Sequence, residues 1–326
     1  VNLPLGALAL VGLRLRLPAS RHDRPRQPVD ALGAALLAAA TSAFMLVCVW
    51  GGDRYAWGSP RLLGLCGAVV ALGVALAAWE RRAADPIVPL GLLRTRPVAL
   101  ASAALFLTTG ALFSVNVFVP LFLQTTTGAS PLQAGLLLVP MMIGITISTN
   151  LAGRAIARSG RYKRYPVGGL ALMTAALALL ALVAGDPSRT TIALGGALFG
   201  LGFGTVGQVL VVAVQNSVER AQLGVAMATT NFFRGLGGAV GAAALGAIFA
   251  ARAGLAAGEG AVHGLAPAAR ADVIDAVQTV FLATAPVAAL ALLLVLALEE
   301  VPLGDGRPGR AAPPARGGAA VAPQRG

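Results

Sequence analysis

The sequence has too few charges to clothe a soluble fold. Charged residues make up 12% of the chain, about half the usual share for a soluble domain. Its two cysteines, Cys48 and Cys66, each lie inside an apolar stretch, with no CxxC pair and no zinc spacing. A disulfide scaffold is therefore excluded. The two histidines, His22 and His263, stand in polar connectors without a partner cluster, so no metal site is expected. Catalytic patterns are missing as well. There is no nucleophile elbow, no HExxH and no pair of carboxylates, and Gly200–Gly204 lacks the Lys-Ser/Thr of a phosphate loop. The reading is not an enzyme, and it needs no cofactor.

What fills the chain instead is apolar. Hydrophobic residues make up 57% of 326 residues, and the mean hydropathy is +0.78. A membrane-spanning helix needs roughly 20 apolar residues. Eight runs reach that length: Ala31–Trp50, Arg61–Trp79, Val98–Leu123, Leu132–Ala157, Tyr165–Ala184, Thr190–Val214, Leu223–Ala250 and Val277–Leu298. A ninth, Val1–Leu17, is apolar until Arg14 and Arg16 and reads as the end of a truncated helix rather than a signal peptide, whose charges would come first. The fold class expected is an all-α integral membrane protein with eight full spans plus that stub. Residues 299–326, rich in Gly, Pro, Ala and Arg, read as a disordered cytoplasmic tail.

The net charge of +12 would suit a nucleic-acid partner if it followed one element, but it is scattered between the apolar runs. Five positive residues fall in the first, third, fifth and seventh connectors between the eight runs, and nineteen in the alternate connectors and the tail. The positive-inside rule puts the second set, and the C-terminus, in the cytoplasm. One cation is left over. Arg234 lies inside the seventh run, where a charge costs about 2.5–3.5 kcal/mol on insertion scales. Two readings stay open for it: a structural arginine tying carbonyls together, or a charge in a water-filled substrate path. No carboxylate lies deep in any run, so an acidic partner or a proton carrier must come from elsewhere.

Small and polar residues mark possible contacts between helices. Gly196, Gly200 and Gly204 recur four apart, as do Gly237 and Gly241. That spacing lets two backbones approach closely, either as static packing or as a sliding interface. Thr109, Phe113 and Asn116 share one face at i, i+4 and i+7. With Met142, Thr146, Gln208, Asn231 and Arg234 they are the substrate-cavity candidates. A lining of Met, Phe, Thr and Asn suits loosely specific binding of small organic compounds. Taken singly, each is also an ordinary interhelical hydrogen-bonding or packing residue.

Several stretches then resemble a known family. Asn2-Leu3-Pro4-Leu5-Gly6, Asp30-Ala31-Leu32-Gly33, Trp57-Gly58-Ser59-Pro60 and Asp85-Pro86-Ile87-Val88-Pro89 are each similar to pieces of it. The fullest match runs from Pro120-Leu121-Phe122-Leu123-Gln124 through Ser130-Pro131-Leu132-Gln133-Ala134-Gly135 to Pro140. Phe233-Arg234-Gly235-Leu236-Gly237-Gly238 also fits. Together they resemble the C-terminal part of a fourteen-helix drug:proton antiporter (QacA/EmrB type) of the major facilitator superfamily. Gly153 to Arg161 is similar to the superfamily's cytoplasmic gate signature G-x-x-x-D-R-x-G-R, with Ala157 in place of the aspartate. Gly153, Arg158, Gly160 and Arg161 are the gate candidates. The alternative is a plain positive-inside anchor.

The resemblance implies a division of the chain. Residues 1–17 would end a truncated helix, and 18–97 would hold cytoplasmic linkers and two inserted helices. Residues 98–298 would form a six-helix transporter half, and 299–326 the tail. It also implies proton-coupled export of drugs or small organic compounds from the cell membrane by alternating access. The proton gradient would be the energy source, and the N-terminal half of the same polypeptide, which carries the proton-coupling acid, would be a partner. The alternative is a non-transporting membrane remnant or partner subunit.

Overall fold

The computed structural model describes residues 2–16, 30–51, 54–83, 90–183, 189–253 and 267–300. Within them the chain is helical, apart from turns and one isolated bridge between Gly51 and Tyr55. Helix α1 is Asn2–Arg16, α2 Ala31–Trp50 and α3 Pro60–Glu80. A single turn, α4 (Leu90–Leu93), precedes the long α5 (Arg96–Thr127). Then follow α6 (Pro131–Leu136), α7 (Val139–Ser159), α8 (Arg164–Val183), α9 (Arg189–Ser217), α10 (Leu223–Ala253) and α11 (Pro267–Leu296). Eight stretches are long and apolar enough to cross a bilayer, with α6 and α7 counting as one. The all-α membrane bundle read from the sequence is the one observed. Helix α1 has 15 residues and is not among the eight.

Local chemistry sets where helices begin and end. Asp30 caps α2 by accepting from the Gly33 N–H at 2.8 Å, and Ser59 caps α3 ahead of Pro60. Between α5 and α6 the chain stops at Gly128, in the left-handed region at φ 64°, and restarts at Ser130. Ser130 and Gln133 form a capping box: the Gln133 N–H donates to Ser130 Oγ at 3.3 Å, and the Ser130 N–H donates to Gln133 Oε1 at 3.1 Å. The Ser130-Pro131-x-Gln133 motif is thus a helix-start device. The run read as one helix from Leu132 breaks at Leu137 and Leu138, just before Pro140.

Several boundaries differ from the sequence reading. Helix α11 starts ten residues earlier than Val277, so Arg270 is helical, and α10 extends to take in Arg252. Arg270, Asp272 and Asp275 interrupted the apolar pattern, but Ala271, Val273 and Ile274 between them continue the helix. Arg252 and Asp275 face each other at 3.8 Å, both well exposed, a pair worth at most about 1 kcal/mol. Residues 301–326, most of the expected disordered tail, lie outside the described residues.

The main packing pairs of the bundle from α5 to α11 are related by a swap of helices, although α10 also packs on α11 with no matching α7·α8 contact among the described residues. Helix α5 packs on α10 and α11, and α9 packs on α7 and α8. The pairs α5·α9 and α8·α11 also meet. Exchanging α5 with α9, α7 with α10 and α8 with α11 leaves this set of pairs unchanged, as expected of two related three-helix units. The core lies between α5, α8, α9 and α11, where Leu105, Leu123, Met173, Phe199, Leu210 and Phe281 are fully buried.

Glycine makes the two closest crossings. A Cβ on Gly241 of α10 would overlap the Gly110 backbone of α5, and one on Gly200 of α9 would overlap the Met141 backbone of α7. These crossings are exchanged by the same swap. Close packing is therefore what the four-apart glycines do at Gly200, Gly204, Gly237 and Gly241, whereas Gly246 faces open space. The hairpin of α2 and α3 packs on itself and reaches the bundle chiefly through α2 against α10.

Candidate functional site

Helices α8 and α11 pack behind the bundle, so the free faces of α5, α7, α9 and α10 turn away from them. The polar candidates of α7, α9 and α10 sit on these free faces. On α7, Met142, Thr146 and Asn150 recur at i, i+4 and i+8, and all three are exposed. Met142 is 46% accessible although it lies in a span. Thr146 Oγ1 donates to the Met142 carbonyl at 2.9 Å, and Asn150 Nδ2 to the Thr146 carbonyl at 2.7 Å. The Thr146 hydroxyl and the Asn150 amide are thus each tied to the preceding turn of their own helix.

Helix α10 carries the matching face. Asn231 is exposed and Arg234 half-buried, one turn apart. Among the described residues Arg234 makes no hydrogen bond and no ion pair. The structural reading of Arg234, a guanidinium tying carbonyls together, thus finds no partner among the described residues. Neither Asn231 nor Gln208 of α9, which is also exposed, makes a hydrogen bond among them. These groups lie in apolar spans yet face outward.

Helix α5 contributes a seam rather than an open face. The Phe113 ring lies against Gly238 of α10, where a Cβ would strike it, and the Thr109 methyl approaches the same point. Thr109 Oγ1 is buried with no partner among the described residues. Asn116 Nδ2 is turned onto the Leu112 carbonyl at 3.1 Å. The structure therefore joins Thr109 and Phe113 to α10, leaves Met142 and Thr146 on α7, and keeps Gln208 apart on α9. None of the eight candidates lines the 890 Å³ cavity beside α2.

The gate segment is mostly helical, α7 ending two residues beyond the span end expected at Ala157. Gly153 through Ser159 is the last part of α7, so Arg154 and Arg158 stand on helix. Arg158 lies in the last turn, where a cation offsets the helix dipole. Gly160 is needed for the stop: its φ is 65°, and its N–H donates to the Ile156 carbonyl at 2.8 Å. Gly153 meets nothing, and Arg161 is exposed. The contacts come one step later in the chain. Glu300 Oε1 accepts from the Tyr162 N–H at 2.8 Å and the Lys163 N–H at 3.2 Å, while Lys163 Nζ donates to the Leu296 carbonyl at 2.8 Å. The turn after α7 is thus docked on the end of α11.

The sequence reading missed that dock, because its partners are more than 130 residues apart. It also missed Glu80, which is buried at the end of α3 beside Trp79. The docked end of α11 belongs with the turn between α7 and α8. The ends of α2 and α10 and the second half of α5 meet at the opposite end, around the cavity.

The model of the Major Facilitator Superfamily matches residues 4–242 of this chain. The chain belongs to the major facilitator superfamily. Among its relatives, an uncharacterized MFS-type transporter of Mycobacterium tuberculosis is 36% identical over 94% of this chain and 47% of its own length. A multidrug transporter protein of Bacillus subtilis is 30% identical over 78% of this chain and 47% of its own. A tetracycline resistance determinant of Streptomyces rimosus is 36% identical over 67% of this chain and 62% of its own. The chain spans about half the length of the first of these relatives. A superfamily helix pack accounts for the paired arrangement of α5–α11, and membership is in a family of transporters rather than enzymes.

Proposed function

We propose that this chain forms the C-terminal part of a proton-coupled exporter of drugs or other small organic compounds, in the fourteen-helix branch of the superfamily. The carrying observation is the polar face that α7 and α10 expose within apolar spans, with Thr146 and Asn150 on one and Asn231 and Arg234 on the other. Such groups are costly against lipid and suit the wall of a water-filled path. The relatives named for multidrug transport and tetracycline resistance support the same reading.

In this reading residues 98–298 are one transporter half, and α2 and α3, within 18–97, are the inserted pair. Residues 1–17 end a further helix, and 299–326 are a cytoplasmic tail. A second half of the same polypeptide closes the path and supplies the acid that carries the proton. The half-length match to the relatives supports this. Transport is alternating access, the two halves rocking about the shared cavity. Thr109, Phe113, Asn116, Met142, Thr146, Gln208, Asn231 and Arg234 form this half's wall, and Gly153, Arg158, Gly160 and Arg161 the cytoplasmic gate. The protein sits in the cell membrane with its C-terminus inside, as the nineteen-to-five distribution of cations supports. The proton gradient is the energy source, and no cofactor is called for.

The test is transport by the complete gene product in inverted vesicles. An imposed proton gradient drives uptake of a cationic dye and of tetracycline, and a protonophore abolishes it. Gradient-independent uptake, or none with a folded protein, removes the proposal.

A further inference from the structure

The four helices with free faces carry charge of one sign. Helices α5, α7, α9 and α10 hold Arg96, Arg154, Arg158, Arg189, Arg234 and Arg252, and neither aspartate nor glutamate. All but Arg234 stand in a first turn or in the last two turns of their helix, where the water–lipid boundary accommodates them. Arg234 stands deeper. It follows the first residue of α10, Leu223, by about 16 Å along the axis at 1.5 Å per residue.

Helix geometry supplies its company. Gln215 Nε2 of α9 donates to Met227 Sδ of α10 at 3.6 Å, so the two helices face each other there. They are joined through the short turn Arg220–Gln222 and run in opposite directions. Two turns on from that contact along each helix stand Gln208 and Arg234, which therefore share a level. Asn231 lies between Met227 and Arg234 on the same face of α10. Neither amide has a hydrogen bond among the described residues, and Arg234 has neither hydrogen bond nor ion pair. Half-buried Met227 adds apolar surface to this face.

A guanidinium stays charged at every working pH. Below the dielectric constant of bulk water one unit charge decides more of the binding energy. Its planar fork matches a carboxylate with two parallel hydrogen bonds, and the two amides can donate beside it. A cationic compound finds no counter-charge on these four helices. The face is complementary to an organic anion with an apolar body.

We propose that Arg234 binds the anionic group of the substrate, a carboxylate or an enolate on an apolar skeleton, with the Asn231 and Gln208 amides as further donors. The inference rests on the reading that these faces line a substrate path, and it adds the sign of the charge that the path selects.

Calorimetric titration of the purified complete gene product tests it without transport. The probes are naphthylacetate and a naphthyl quaternary ammonium of the same length. Naphthylacetate should bind at least roughly tenfold more tightly than the cation, the size of a hydrogen bond to a charged group. Arg234→Gln should remove that preference, and Arg234→Lys should keep part of it, since an ammonium retains the charge without the fork. Gln208→Ala and Asn231→Ala should each weaken the anion by about threefold. Equal or weaker binding of naphthylacetate by the wild type overturns the proposal, and is the outcome if a carboxylate of the other half neutralises Arg234. So does a preference that Arg234→Gln leaves intact. Should that variant fail to fold, photolabelling of the wild type decides. An azido derivative of naphthylacetate should label the peptide that holds Asn231 and Arg234, and naphthylacetate but not the cation should protect it. Labelling only elsewhere, or equal protection by both probes, rejects the site. Proton-driven tetracycline uptake without an anion preference removes this inference alone. An anion preference that depends on Arg234, in a protein without proton-driven uptake, removes the efflux reading alone.

Discussion

The indole N–H of Trp79 reaches both carboxylate oxygens of Asp30, at 2.9 and 3.0 Å. Asp30 is also the cap of α2, so one carboxylate starts the first helix of the hairpin and holds the last turn of the second. A hydrogen bond to a charged group is worth about 1.5–3 kcal/mol, and an N-cap about 1 kcal/mol. Asp30→Ala should therefore lower the thermal stability of the purified protein more than Trp79→Phe, which leaves the cap intact. Equal losses in thermal denaturation would show that the cap contributes nothing.

The glycine crossings give a sharper contrast. Gly241→Ala and Gly200→Ala place a methyl on the backbone of the facing helix, and overpacking of this kind costs typically 1–3 kcal/mol, occasionally more. Gly246→Ala enters open space and gains helix propensity. Size-exclusion chromatography should recover little monodisperse protein for the first two and a normal yield for the third.

Glu300 holds the turn after α7 to the end of α11. Glu300→Ala leaves the Tyr162 and Lys163 N–H groups to water, and a loss of about 1.4 kcal/mol corresponds to tenfold faster local opening. Hydrogen exchange measured by mass spectrometry should quicken about tenfold at Tyr162 and Lys163. Exchange at residues within α9 should stay as it was.

Arg234 tests the transport reading. In the complete protein, Arg234→Ala should cut efflux by about tenfold or more while expression and thermal stability persist, because no described group depends on the guanidinium. Arg234→Lys should retain part of the activity. A fall in stability that parallels the fall in efflux would return Arg234 to a structural role.

Much of this architecture was legible in one dimension. The eight spans follow from run length, since a bilayer demands about 20 apolar residues whatever the tertiary fold. Helix ends marked by Asp30, Ser130 and Gly160 follow from local capping chemistry. The start of α11 did not follow, because Arg270 and Asp275 mimic a connector while forming the exposed rim of a helix. The end of α7 was legible to within two residues, the span from Leu132 being expected to stop at Ala157 and stopping at Ser159. Only Gly160 breaks the helix there.

The candidate site divides in the same way. That Asn231 and Arg234 share a face could be counted from the sequence, as could Met142 and Thr146. Which faces were free could not be counted, because that depends on where α8 and α11 pack. Contacts such as Trp79 with Asp30, Glu300 with Tyr162, and Gly241 with Gly110 join residues 49 to 138 positions apart. The cavity beside α2 is another case, assembled from three helices none of which carries a motif for it. Hydropathy and capping act within about twenty residues, so the sequence by itself determined the spans, many of their ends and the uneven distribution of cations between alternate connectors. Packing acts between helices distant along the chain, and it alone decided which glycines touch, which polar faces stay open and where a cavity is left.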